Sequence, residues 1–145
     1  MKQENLDYCR RIQRKLEAYY NGEYYRCPIC GERVEISDFD KLNKTDGKLE
    51  LPCGCTVEDK EDLEHLSVYD FFDNTICDVI YYIGNDGDFR GVRIMIACGG
   101  PNVYVDTYRQ TVELYWWSDY ATVNLFSEVS DTITEVFEEV YQACK

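Results

Sequence analysis

Cys27-Pro28-Ile29-Cys30-Gly31 and Pro52-Cys53-Gly54-Cys55 are the stretches that decide how the first half of this 145-residue chain folds. Two close cysteine pairs, separated by a polar loop, present four thiolates to one tetrahedral metal ion. A glycine directly after the first pair supplies the positive φ of a tight turn, which aims both sulfurs at one point. Between the pairs, Val34-Glu35-Ile36 alternates as a short strand should. Asp46-Gly47 is a hairpin-turn signal, and Leu49-Glu50-Leu51 returns the chain to the second pair.

Knuckle, hairpin, knuckle is the layout of a zinc ribbon, and residues 23–66 resemble one. The expected ligands are Cys27, Cys30, Cys53 and Cys55, holding a structural Zn2+. The second pair departs from the usual pattern, with one residue between its cysteines rather than two. His65, the only histidine, is the alternative donor, but it lies ten residues past Cys55. With four cysteines engaged, every tetrahedral position is filled by protein and none is left for an activated water.

On the N-terminal side, residues 4–20 read as a helix. Leu6, Cys9, Ile12, Leu16 and Tyr19/Tyr20 recur at three- and four-residue steps, while Arg10, Arg11, Arg14 and Lys15 lie on the other side. Asn21-Gly22 ends it. On the C-terminal side, residues 67–83 begin with helical spacing (Val68, Phe71, Phe72) and end in the strand-like run Val79-Ile80-Tyr81-Tyr82-Ile83. Asn85-Asp86-Gly87-Asp88 is a turn. An antiparallel meander follows: Val92, Ile94, Ile96 and Cys98 on one face, a break at Gly99-Gly100-Pro101, strands at 102–106 and 112–117, and one more near 120–126. Val129, Ile133, Val136, Phe137, Val140 and Tyr141 share one face of a closing helix, with Ser127 or Ser130 as the expected N-cap. The expected fold is α+β. It has an N-terminal helix (1–22), a zinc-ribbon-like module (23–66) and an α+β domain (67–145). In that last domain an antiparallel sheet of about four to five strands is covered by a C-terminal helix.

The formal net charge is −13, spread unevenly: residues 1–26 are net +2, residues 27–66 net −6 and residues 67–145 net −9. Such a field opposes direct nucleic-acid binding, which draws its affinity from Lys/Arg contacts to phosphate, and it favours basic partners. Glu128, Asp131, Glu135, Glu138 and Glu139 gather on the outer arc of the closing helix, an acidic ridge. Thirteen tyrosines with Trp116 and Trp117 exceed what one small core must hide. Tyr115 and Trp117 are therefore candidate anchors for a partner. No apolar run is long enough for a transmembrane helix and the N-terminus lacks a signal-peptide pattern, so the expected location is cytoplasmic. In a reducing compartment the remaining cysteines, Cys9, Cys77, Cys98 and Cys144, read as buried free thiols.

An enzyme needs a general acid/base or an open metal site. One histidine, no Gly-rich phosphate loop and no nucleophile elbow make this a non-enzymatic sequence, with Asp106 beside Cys98 the only catalytic pair to weigh. The stretch 92–107, with Gly99-Gly100-Pro101-Asn102, and Glu113-Leu114-Tyr115-Trp116-Trp117 resemble small acidic proteins carried by conjugative elements and phages of Gram-positive gut bacteria. The resemblance covers about residues 76–143 and brings no catalytic residue with it. It implies a context in which anti-restriction and anti-CRISPR proteins are common. The expected function is thus a binding protein that inhibits a basic nucleic-acid-handling defence protein, such as a CRISPR nuclease, by nucleic-acid mimicry. The alternative is a zinc-ribbon protein that contacts nucleic acid or the transcription machinery through Arg10, Arg11, Arg14 and Lys15.

Overall fold

The structure is a computed structural model that describes residues 2–145. It opens with helix α1 (Gln3–Tyr20). Two compact units follow from the chain's contacts: Ala18–Ser67, and Val68–Lys145 together with the chain up to Glu17.

The Ala18–Ser67 unit is built from six very short strands. They are β1 (Tyr24–Arg26), β2 (Arg33–Glu35), β3 (Lys44–Thr45), β4 (Lys48–Glu50), β5 (Thr56–Val57) and β6 (Glu64–His65). They form two three-stranded antiparallel sheets, ordered β2-β1-β6 and β3-β4-β5. Asp46 and Gly47 join β3 to β4 with φ of 52° and 77°. Two consecutive positive φ values match the right-handed twist of the flanking strands, which is why an Asp-Gly pair sits there. A small core of Tyr25, Val34, Ile36, Leu51, Val57 and Leu63 gathers around buried Cys27.

In the second unit, α2 (Val68–Phe72) leads into β7 (Asp78–Ile83), β8 (Phe89–Ala97), β9 (Asn102–Asp106), β10 (Thr111–Trp116) and β11 (Asp119–Asn124). Helix α3 (Ser127–Cys144) closes the chain. The five strands form one antiparallel meander in the order β11-β10-β9-β8-β7. One face is apolar: Val92, Ile94, Val103, Val105, Val112, Leu114 and Ala121 are all essentially fully buried. Helix α3 covers this face with Val129, Ile133 and Phe137, and Phe137 meets Phe72 of α2 edge to face at 5.3 Å. The α+β architecture is therefore the one expected, with five strands. The N-terminus of α1 is tied to the same sheet, because Asp119 accepts from the Lys2 N–H at 2.9 Å and from the Asn5 amide at 2.6 Å. These two donors hold its carboxyl well below the usual range.

Three local expectations are corrected. Neither Ser127 nor Ser130 caps α3: the N-cap is Phe126, which makes no side-chain cap bond. Ser130 is buried and donates to the Thr107 carbonyl at 2.8 Å, so a tertiary contact takes the hydroxyl. Of the four scattered cysteines only Cys9 is buried; Cys77, Cys98 and Cys144 are exposed, and each lies at the end of an element rather than within its buried face. The alternation along 92–98 breaks at a bulge between Met95 and Ala97.

The opposite face of the sheet holds a charged centre that alternation alone disguises. Asp106 and Glu113 are fully buried there, bridged by Arg93 at 2.9 Å and 3.2 Å. Tyr82 donates to Asp106 at 2.6 Å, while Tyr115 and Thr111 each donate to Glu113 at 2.7 Å. The Arg93 guanidinium lies 4.0 Å from the Tyr104 ring centroid. Burial works against the Glu113 carboxylate, but Thr111, Tyr115 and Arg93 outweigh it and lower its pKa from 4.5. Removing one partner of such a buried set costs about 3–5 kcal/mol, because it strands the charges left behind. Arg93→Ala is expected to lose stability of that order in denaturant melts. A carboxyl with a depressed folded pKa stabilises above its unfolded pKa, and that contribution is lost as pH falls through the folded one. Glu113→Gln should therefore be less stable than the parent chain at neutral pH. The gap should close in acid below the ordinary glutamate value of 4.5, as read by thermal midpoints of the two proteins across pH.

Candidate metal centre

The first knuckle is shaped by backbone hydrogen bonds on both sides of Cys27. Its N–H donates to the Glu32 carbonyl at 2.9 Å, and its carbonyl accepts from Gly31 N–H at 3.0 Å. Gly31 takes φ of 78°, the left-handed conformation that glycine adopts without strain. The second knuckle repeats the device: Gly54, at φ 93°, donates to the Leu51 carbonyl at 2.8 Å, and Leu51 donates to the Cys55 carbonyl at 2.8 Å. The two turns face one another across the small core, and the sulfurs of Cys27, Cys30, Cys53 and Cys55 lie within 4.8 Å of each other. Four thiols that close could bind a metal ion.

The thiols differ in their readiness to ionise. Burial opposes a Cys27 thiolate, yet the N–H groups of Cys30 and Ile29 prevail and lower its pKa to about 7. The Ile29 N–H lies 3.4 Å from the Cys27 sulfur. Cys55 is pushed up to about 12, first by its hydrogen bond with the Cys30 thiol and then by burial. Cys53 is also raised, chiefly by burial. Crowded sulfurs without a cation cannot all carry negative charge, so Cys27 ionises easily while Cys53 and Cys55 hold their protons. A cation at the centre reverses this order and releases the protons.

His65 does not join the cluster. It stands on β6 with its ring packed on Tyr25 at 4.7 Å, and the sequence distance from Cys55 is not closed by the fold. Asp106 and Cys98, the pair weighed for catalysis, have separate surroundings. Asp106 is engaged by Tyr82, Arg93 and the Arg109 N–H, and Cys98 lies against Cys77.

The candidate partner-binding residues lie in the second unit. Glu128, Asp131, Glu135, Glu138 and Glu139 are all exposed on α3. Tyr115 is partly exposed and its hydroxyl serves Glu113. Trp117 is 90% exposed and occupies the turn between β10 and β11 at φ 54°, a conformation that an aromatic residue rarely takes. What sequence reading missed is the Arg93–Asp106–Glu113 centre and the meeting of Cys77 with Cys98. The first was hidden because a charged residue at an alternate strand position reads as solvent-facing. The second was hidden because the cysteines are 21 positions apart.

The centre is expected to take up one equivalent of metal and to lose it in acid, where protons compete for the thiolates. Cys27→Ser should abolish tight binding and loosen Ala18–Ser67, with the five-stranded sheet retained. Metal analysis and amide hydrogen exchange on the parent and variant chains read these two effects separately. No family profile, no curated protein and no solved structure matches the chain, so its function is argued from its own residues.

Proposed function

We propose that this chain is a non-catalytic, zinc-stapled acidic protein that binds a basic nucleic-acid-handling protein by standing in for phosphate. The observation that carries this reading is the ridge on α3. Its five carboxylates are exposed, the helix contains no basic residue, and none of the five is in an ion pair among the described residues. Steps of three or four residues from Glu128 to Glu138 set successive carboxylates about 4.5–6 Å apart along the axis, with Glu139 next to Glu138. That is a line charge of the same order as one duplex strand, with a phosphate about every 3.4 Å. The net charge of −13 extends the attraction beyond the ridge and favours rapid encounter with a basic groove. Trp117 offers such a partner an aromatic anchor. We take the target to be a host defence protein, such as a CRISPR nuclease, on the resemblance to mobile-element proteins read from the sequence of residues 76–143.

Zinc is the metal this reading assigns. Four thiolates favour a soft or borderline cation over magnesium or calcium. Tetrahedral Zn–S bonds of about 2.3 Å place sulfurs about 3.8 Å apart, compatible with four sulfurs that all lie within 4.8 Å of one another. Its role is structural, since four cysteines leave no coordination position for a substrate. A second reading draws on the exposed Arg10, Arg11, Arg14 and Lys15 of α1, which suit a nucleic-acid contact.

Elemental analysis of the purified chain should return about one zinc. Affinity for a candidate nuclease should fall steeply between about 0.05 M and about 0.5 M salt, where the screening length shrinks several-fold. Joint replacement Glu128→Lys, Asp131→Lys, Glu135→Lys and Glu138→Lys should abolish binding with the circular dichroism spectrum unchanged. Binding indifferent to salt removes the mimicry mechanism, and binding retained by the quadruple variant removes this ridge. A mobility shift with bare oligonucleotides would move the assignment to the basic face of α1.

A further inference from the structure

Cys77 and Cys98 are outside the metal cluster, and they meet each other. Their sulfurs lie 2.8 Å apart and both residues are exposed. Cys77 immediately precedes β7 and Cys98 immediately follows β8, so the pair stands at the open end of the hairpin that forms one rim of the sheet. The turn at residues 84–88 closes the other end, with Gly84 N–H donating to the Asp88 carbonyl at 2.8 Å. Backbone pairing fixes the site: Cys77 N–H donates to the Met95 carbonyl at 2.7 Å, and Asp78 is paired with Met95. Continuing that register sets Cys77 opposite Ile96 and diagonal to Cys98. In a regular ladder, diagonal positions are about 7–8 Å apart. The bulge between Met95 and Ala97 bends β8 at this point, and bulges of this kind re-aim the side chains beside them. The two sulfurs need less than about 1 Å of further approach to reach the disulfide bond length of about 2.05 Å.

We propose that Cys77 and Cys98 form a reversible dithiol–disulfide site that is oxidised by small-molecule disulfides such as oxidised glutathione. The thiolate of one cysteine attacks a sulfur of the oxidant, forming a mixed disulfide and releasing one glutathione thiolate, which takes up the proton the cysteine gave up. The second cysteine's thiolate then attacks the protein sulfur of that mixed disulfide and expels the second glutathione, which is protonated in the same way. The dithiol gives up two electrons and two protons, and the oxidant becomes two thiols. Exposure of both sulfurs lets oxidant and reductant reach them. Closing the bond turns the hairpin into a ring and pins β7, the rim strand.

The test treats the full chain, purified in reductant, with oxidised glutathione, and then measures intact mass, a non-reducing peptide map and metal content on the same sample. The expected result is loss of the mass of two hydrogen atoms, a peptide link between Cys77 and Cys98, unchanged metal and full reversal by dithiothreitol. Hydrogen exchange in β7 should slow in the oxidised form. Cys77→Ser and Cys98→Ser should each instead retain one bound glutathione. The site is overturned if the parent chain stays reduced, if it accumulates stable glutathione adducts at either cysteine, or if the link formed joins cysteines of the metal cluster. Should a serine variant fail to fold, the map of the parent chain decides alone.

Discussion

Convergence of four sulfurs on one point is the constraint on which the Ala18–Ser67 unit depends. Its strands are two or three residues long, too short for ladder hydrogen bonds to hold two separate sheets in register. Its apolar core is about a dozen residues, several only partly buried, and three of those twelve are themselves cluster cysteines. Domains this small rarely bury enough apolar surface to offset the entropy of ordering their chain, and the four clustered thiols are placed where a metal ion could cross-link the two turns. The knuckle glycines, the Asp46-Gly47 turn and the hydrogen bonds around Cys27 make sense as devices that deliver sulfurs to that point.

The other unit is organised by burial on one face of its sheet and by charge on the other. The apolar face needs no special account: β-branched and leucine side chains alternate inward and α3 covers them. The second face places one guanidinium between two buried carboxylates, an arrangement that costs desolvation and returns it only if each lone pair is satisfied. Tyr82, Thr111, Tyr115 and the Arg109 N–H meet that condition. Three of the thirteen tyrosines thus have structural employment here, Tyr82 and Tyr115 as hydrogen-bond donors and Tyr104 as a stacking surface for Arg93. Trp117 stays 90% exposed while its ring meets Trp116 edge to face at 6.1 Å, and that exposure is why it enters the functional reading.

Acidity and metal binding play separate parts in that reading. The proposed metal would give shape to a small module, and four cysteine ligands would leave it no open position for chemistry. The negative field offers speed and selectivity of encounter with basic surfaces without specifying which one.

The sequence by itself determined the two long helices, the β3–β4 hairpin, the five-strand meander and the cysteine pairs that cluster, because these rest on local rules; it did not mark β1, β5 or β6. Cysteine spacing, glycine after a knuckle, Asp-Gly in a turn and the 3.6-residue period of α3 all act within a few residues of chain. Only the tertiary structure decided the pairings between distant positions. It gave Ser130 to the Thr107 carbonyl rather than to a helix cap, and it buried Glu113 against Arg93 although alternation aims it at solvent. It also brought Cys77 to Cys98 at the end of a bulged strand. The physical reason is the same in each case. A polar or thiol group is satisfied by whatever donor, acceptor or charge the fold sets beside it, and that neighbour is chosen by strand register and packing, which no local pattern encodes.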